Sequence, residues 1–347
     1  MNELIQFCKT FKKDFTPKIR DPTKPVRSWS EKDILDGKLV DAYVIIFRTR
    51  GCSWALKSGC TMCGYFNDSM WEKVSDGDLL KQFDSVMKNY SGEKIVKIFT
   101  SGSFLDDNEI SSKTRKKILG VLTEKAEKIS VESRPEYVKD EKLSDIHDIT
   151  QSKKFEVGIG LETSNDFLRE RAINKGFTFN DYKKAAKHLK KYKFKLKTYV
   201  LVKPPFITEK ESLEDAICTV KDIQSYTDTI SFNPTNVQRH TVVDFLWKRN
   251  QYRPPWLWSI LEILKKSKKL TDVLIKCDVA GGGSRRGVHN CPACDHKVLD
   301  AIAKFSLSQD TKVFEGLDCA CKQNWLDQLD IENLTFGSIV DFSEINK

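Results

Sequence analysis

Short apolar runs and longer amphipathic stretches alternate along this chain from about residue 41 onward. The apolar runs at 42–47, 94–100, 129–133, 155–161, 196–202 and 229–233 are mostly Val, Ile, Leu and Phe and read as strands. Patterns with helical spacing occupy 76–89, 108–126, 140–150, 179–192 and 209–224 between them. Strands separated by helices imply βαβ crossovers, a parallel sheet and the α/β class. In sheets that curl into barrels the chemistry gathers at the carboxyl ends of the strands. The stretch at 179–192 sets Lys183, Lys184, Lys187, Lys190 and Lys191 against Tyr182, Ala185, Ala186 and Leu189. That is an outer helix with a solvated face, and such a row of lysines also suits RNA phosphates.

The flanks break the alternation. Residues 1–40 are polar, with Trp29 and Ile34-Leu35 as anchors, and are expected to form an N-terminal extension lying against the barrel. After residue 250 come Pro254-Pro255-Trp256-Leu257-Trp258, a Lys-rich helix and a strand ending at Cys277. The expected division is therefore 1–40, a barrel over 41–250, and a C-terminal module over 251–347.

Chemistry-bearing residues sit at the strand ends. The first strand runs into Cys52, Cys60 and Cys63, spaced C-x7-C-x2-C and followed by Gly64-Tyr65. Three thiolates from one loop hold three irons of a [4Fe–4S] cluster and leave the fourth open for another ligand. The alternatives are a structural zinc knuckle or three unrelated core thiols. The second strand ends in Ser101-Gly102-Ser103, where small residues let backbone approach a ligand. The third ends in Glu132-Ser133-Arg134-Pro135, whose two charges, two positions apart, share one strand face and need partners. They read either as ligand-binding groups or as an ion pair with each other. Glu162 closes the fourth strand, and Asn174-Lys175-Gly176 follows shortly after it.

Ten cysteines in a sequence with no signal-like N-terminus speak for metal rather than disulfides, and predict a cytoplasmic protein. No run of 18 apolar residues exists, so no membrane-spanning helix is expected. Cys291-x2-Cys294 and Cys319-x-Cys321 together suit a tetrahedral thiolate zinc site of structural purpose, with Cys277 and His289 as reserve ligands. Beside them, the run Gly281 to Gly287 with Arg285 and Arg286 reads as a surface turn or as a contact for phosphate or carboxylate. Lys and Arg exceed Asp and Glu by 58 to 49, a bias compatible with a polyanionic partner.

The three-cysteine loop resembles the radical SAM superfamily, in a spacing variant of its usual C-x3-C-x2-C. The resemblance covers about residues 41–237 and implies a partial (β/α)6, TIM-like barrel holding a [4Fe–4S] cluster and S-adenosylmethionine (SAM). It implies Tyr65 beside the adenine, Ser101, Gly102 and Ser103 in the turn that takes the amino group, and Glu132, Arg134 and Glu162 around carboxylate and ribose. Glu132-Ser133-Arg134-Pro135 matches the E-[ST]-R-P of the branch containing the elongator catalytic subunit, and Asn174-Lys175-Gly176 its N-[RK]-G turn.

With the C-terminal Arg-Gly-x-His-Asn-Cys-x-x-Cys and Cys-x-Cys included, the sequence resembles the RaSEA family, radical SAM lyases of archaeosine biosynthesis in archaea. That resemblance implies tRNA as substrate, modified at position 15 of the D-arm. A partner transferase, ArcS, attaches lysine to 7-cyano-7-deazaguanine, and the radical enzyme then cleaves the C–N bond to the lysine ε-carbon to leave archaeosine. The alternatives are a radical SAM enzyme acting on another tRNA base or a small molecule, and a non-enzymatic zinc-ribbon RNA-binding protein.

Overall fold

A computed structural model describes residues 3–13, 19–151, 153–332 and 334. Eight strands form one curled sheet in sequence order: β1 (Arg27–Leu35), β2 (Lys38–Ile46), β3 (Ile95–Phe99), β4 (Lys128–Glu132), β5 (Lys154–Glu162), β6 (Lys195–Val202), β7 (Thr229–Pro234) and β8 (Leu274–Cys277). β1 and β2 form an antiparallel hairpin turning on Asp36 and Gly37, whose φ values of 51° and 74° are those of a primed two-residue turn. All later pairings are parallel, so each needs a crossover. The first five are made by α1 (Asp76–Met87), α2 (Ser112–Lys125), α3 (Asp140–Thr150), α4 (Phe179–Lys191) and α5 (Glu209–Ile223).

Two helices, α6 (Val242–Lys248) and α7 (Leu257–Leu270), lead from β7 to β8. Beyond β8 lie α8 (Asp295–Ser308) and α9 (Cys321–Glu332). On α4, Tyr182, Ala185, Ala186 and Leu189 are buried, and Lys184, Lys187, Lys190 and Lys191 face solvent. Among the described residues no helix is long and apolar enough to cross a membrane.

The sheet is wider than the six expected units, at both edges. β1 lies in the stretch read as an extension, yet it is hydrogen-bonded into the sheet along its whole length. β8 lies beyond the expected division at 250, yet it pairs with β7 over four residues. At the β1 edge, lumen charges replaced the apolar pattern that would have marked a strand, whereas β8 was read as a strand and its place beside β7 depends on pairing across two helices. Lys97 on β3 meets Glu31 at 2.6 Å and Asp33 at 2.5 Å on β1, and Asp33 also pairs with Lys276 on β8. Asp33 is 3% exposed. The edge strands do not pair with one another. Instead one buried carboxylate joins cations from β3 and β8 across the open side of the barrel, meeting the need of buried charge for opposite charge. A second buried set joins Glu156 on β5 to Lys128 (2.7 Å) and Lys197 (3.4 Å).

Candidate active site

The three-cysteine loop leaves β2 and is clamped from the opposite side of the barrel mouth. Gly51 turns it at φ 94°, where a Cβ would lie 2.6 Å from Cβ of Ser69. Cys52 precedes the short helix Ser53–Lys57, whose Trp54 donates its indole N–H to Asn174 O at 2.7 Å. Thr61 donates its hydroxyl to Ala172 O (2.7 Å), and the Asn174 amide donates to Ser58 Oγ and Gly59 O, each at 2.7 Å. Asn174 itself is left-handed, φ 57°, followed by Gly176 at 76°. The Asn174-Lys175-Gly176 turn thus holds the loop that carries Cys60.

The thiols of Cys60 and Cys63 lie in a low-dielectric setting. Burial pushes the Cys60 thiol above its ordinary pKa, opposed by Lys175 and Arg134. Burial and the neighbouring Cys60 push the Cys63 thiol up to about 12. Such thiols keep their protons until a metal displaces them. Among the described residues, the four C-terminal cysteines are the one set of three or more metal-ligating side chains whose atoms all lie within 4.8 Å of each other. Cys52, Cys60 and Cys63 therefore do not converge on one point as a single ion demands. Thiolates that each take a different iron of a cluster need that wider spread.

The turn after β3 lies against this loop. A Cβ on Gly102 would stand 2.6 Å from Cys52 Cα, so glycine alone allows the approach. Ser103 is turned inward, its hydroxyl accepting from the Arg134 backbone N–H at 3.0 Å. Ser101 remains part-buried at the mouth. Beneath the turn, the buried Glu109 accepts from the Thr49 hydroxyl (2.5 Å) and from the Ser103 N–H. Burial pushes its carboxyl up to about 7. Glu109 fell inside the helical pattern expected from 108, but α2 begins only at Ser112, capped by Ser111.

Glu132 and Arg134 do not pair with one another. The Arg134 guanidinium donates to Glu136 Oε1 at 2.5 Å and to Lys175 O at 3.0 Å. It lies 5.5 Å from the ring centre of Trp54 and 5.2 Å from that of Phe177. Glu132 turns into the lumen beside Gly158, where a Cβ would meet Tyr199 at 2.9 Å and Glu132 Cγ at 3.5 Å. Burial raises the Glu132 carboxyl, against the pull of Tyr199 and Lys197. Glu162 is held by Lys175, Nζ to Oε1 2.5 Å. Its φ of 72° and the shift in strand register between Gly160 and Glu162 re-aim this carboxylate out of the regular pleat. Tyr65 is 60% exposed, two residues past Cys63. Gln238 covers that end of the loop, its Oε1 accepting from the Gly64 N–H at 2.5 Å.

Behind the barrel, the Sγ atoms of Cys291, Cys294, Cys319 and Cys321 stand 3.7 Å (291–294), 3.6 Å (291–319) and 3.6 Å (294–321) apart. Zn–S bonds of about 2.3 Å in a tetrahedron require S···S edges of about 3.8 Å. The four thiols thus fit one tetrahedral ion. Trp258 donates its indole N–H to Cys321 Sγ at 3.4 Å, as outer partners of metal ligands do. Cys277 and His289 stand outside the set. His289 Nδ1 instead sits 2.8 Å from Gly287 O.

Sequence reasoning missed Glu109, Glu136 and Gln238, and named Lys175 only as part of a turn. Of these, Lys175 had a signal in its Asn-Lys-Gly context; the others act through partners that no local pattern marks.

Comparison with known proteins brings in relatives. The family described as Radical SAM superfamily matches residues 46–216. The sequence is 43% identical over 320 residues to archaeosine synthase subunit beta of Methanosarcina acetivorans, covering 91% of this protein and 92% of that one. It is 40% identical over 305 residues to archaeosine synthase subunit beta of Thermococcus kodakarensis, covering 86% and 94%. Among solved structures, the archaeal Methanocaldococcus infernus Elp3 aligns at 14% identity and TM-score 0.48, over 77% of this protein and 63% of that one.

Proposed function

The protein belongs to the archaeosine synthase beta-subunit family within the radical SAM superfamily, and from that premise we propose that it is the radical SAM lyase that completes archaeosine on tRNA. The observation that carries the reading is the reach of the match, 91% of this protein against 92% of the relative. The substrate is lysine-conjugated 7-cyano-7-deazaguanine at position 15 of the D-arm, supplied by ArcS. The bond broken joins the lysine ε-carbon to the nitrogen that stays behind in the formamidine of archaeosine. An unactivated methylene offers acid–base catalysis no starting point, which is why a cofactor radical is used.

Cys52, Cys60 and Cys63 would hold a [4Fe–4S] cluster, which together with SAM supplies a 5′-deoxyadenosyl radical. The protein's own residues position and shield. Gly102 and Ser101 offer a close backbone edge to the SAM amino group, and Ser103 fixes the Arg134 backbone. Arg134 is stacked and charged at the mouth, suited to the SAM carboxylate. Tyr65 covers the adenine, Glu132 takes ribose hydroxyls, and Glu162 acts through Lys175. Cys291, Cys294, Cys319 and Cys321 hold a structural zinc. The word subunit in the relatives' names supports a partner protein.

The test is anaerobic incubation of reconstituted protein with SAM, reductant and tRNA bearing the lysine-conjugated base, followed by nucleoside mass spectrometry. Archaeosine formed together with 5′-deoxyadenosine is the expected result. 5′-Deoxyadenosine with an untouched nucleoside would retain the radical chemistry and discard the substrate.

A further inference from the structure

A cavity of about 1060 Å³ opens between α6, the loop after β6 and the C-terminal segment, beside the apolar cluster that also takes Met62 of the three-cysteine loop. Val243 of α6 donates its backbone N–H to Thr61 O at 3.2 Å and packs beside Met62, and Trp247, one turn on and in the same apolar cluster, lines the cavity with Lys248. Phe206, also in the lining, belongs to the same apolar cluster as Cys60 and Met62. The cavity and the three-cysteine loop therefore share apolar packing.

The charge of this cavity is one-sided. Lys203, Lys248, Arg253 and Arg285 line it against one carboxylate, Glu332. Lys203 and Lys248 have partners, Glu209 at 2.7 Å and Asp244 at 2.9 Å. Among the described residues, Arg253 and Arg285 form no ion pair within 4.0 Å. Arg253 is part-buried on the Trp256 ring at 3.8 Å, with donors on Pro254 O (2.8 Å) and His289 O (2.9 Å). Both acceptors are neutral, and the carboxylates that act on this guanidinium, Glu209 and Asp295, do so without an ion pair within 4.0 Å. The Gly/Arg run splits its two arginines. Arg286 is structural, pairing with Asp244 at 2.5 Å and lying over Trp247, while Arg285 is exposed at the cavity rim. The run is tightly wound, since a Cβ on Gly287 would stand 2.1 Å from Gly281 O, and the Trp247 indole N–H pins Arg285 O at 3.1 Å.

We propose that this cavity binds phosphodiester groups of the RNA substrate, docking the strand beside the reacting nucleotide. The inference rests on the tRNA reading above. Guanidinium groups on a rigid rim match phosphate oxygens bidentately. Phosphate contacts of this kind set register and affinity and leave base choice to the active site.

The test is filter binding of a tRNA transcript to the full-length, metal-loaded protein at several salt concentrations. Arg285→Glu should weaken binding on the order of tenfold and lower the slope of log K against log salt by about 1 to 2. Arg253→Lys, which keeps the charge and loses the fork, should weaken binding by a smaller factor. Both variants should keep wild-type zinc content and wild-type SAM cleavage in the absence of RNA. Wild-type affinity and slope in both variants would overturn the proposal. So would loss of partner-protein binding by Arg285→Glu with tRNA binding unchanged. A wild-type protein that binds no tRNA removes the tRNA reading itself and this inference with it.

Discussion

Lys175 Nζ lies 2.5 Å from Glu162 Oε1, a buried ion pair joining the end of β5 to the turn that clamps the three-cysteine loop. Gly160 makes room for it, since a Cβ there would stand 2.8 Å from both atoms. Burial alone would lower the Lys175 ammonium, but Glu162 and Cys60 hold it above the ordinary lysine range. Breaking one side of such a pair strands the other charge. Lys175→Met is expected to cost about 3–5 kcal/mol, and adding Glu162→Gln should recover a large part of it. Urea unfolding of both single variants and the double variant measures this. Additive losses would mean that the pair is not coupled.

Glu109 provides a pH test. Its carboxyl is raised from 4.5 to about 7, chiefly by burial. Below the unfolded value it is protonated in both states and costs nothing. Between the two values the folded state keeps a proton that the unfolded state has lost, so stability falls as pH rises, and above about 7 the loss is complete. Glu109→Gln removes this dependence. Its melting temperature relative to wild type should therefore climb from pH 4.5 to 7 and then level, a gain of up to about 3 kcal/mol at the 1.36 kcal/mol per unit of linkage. A difference that stays flat with pH would show that Glu109 is ionised throughout.

The strands between β2 and β7 and their crossover helices were legible because apolar runs and amphipathic spacing are local signals. β1 was not, because Glu31 and Asp33 point charge at the lumen where the pattern rule expects apolar side chains. β8 was visible as a strand and was assigned to the wrong side of the division, since pairing with β7 is a relation across two helices. At the site, the cysteine spacings could be read directly. The partnership of Arg134 with Glu136 in place of Glu132 could not, because strand alternation gives a shared face and says nothing of which neighbour reaches it. Ser103 likewise looked like a ligand group, and its hydroxyl turned out to be engaged by the protein's own backbone.

The two cysteine sets should lose their metals independently. If Cys52, Cys60 and Cys63 hold the proposed cluster, Cys60→Ala is expected to abolish iron and activity while zinc stays near one per protein. Cys294→Ser strikes the four-thiol set, whose sulfurs already stand at tetrahedral spacing, and should release zinc. Because Cys294 is buried at the N-cap of α8, that variant should also unfold the C-terminal segment, read as new protease cuts after β8. Iron and zinc analysis of both variants decides this. Iron lost along with zinc in Cys294→Ser, without unfolding of the barrel, would contradict two separate sites.

Arg134 distinguishes a cofactor contact from a structural arginine. Its guanidinium lies near two aromatic rings, and Glu136 takes only one edge of the fork. Lysine at this position keeps the charge but loses both the second donor and the stacking surface. If Arg134 meets the SAM carboxylate, Arg134→Lys should weaken SAM binding about 10- to 100-fold, the worth of one charged hydrogen bond, with iron content unchanged. Glu136→Gln should have a smaller effect, because it loosens the guanidinium without removing it. Equilibrium binding of SAM to the cluster-loaded variants, with iron measured on the same samples, gives the answer. Unchanged SAM affinity in Arg134→Lys, together with a lower melting temperature, would assign the residue to holding the Asn174-Lys175-Gly176 turn through Lys175 O alone.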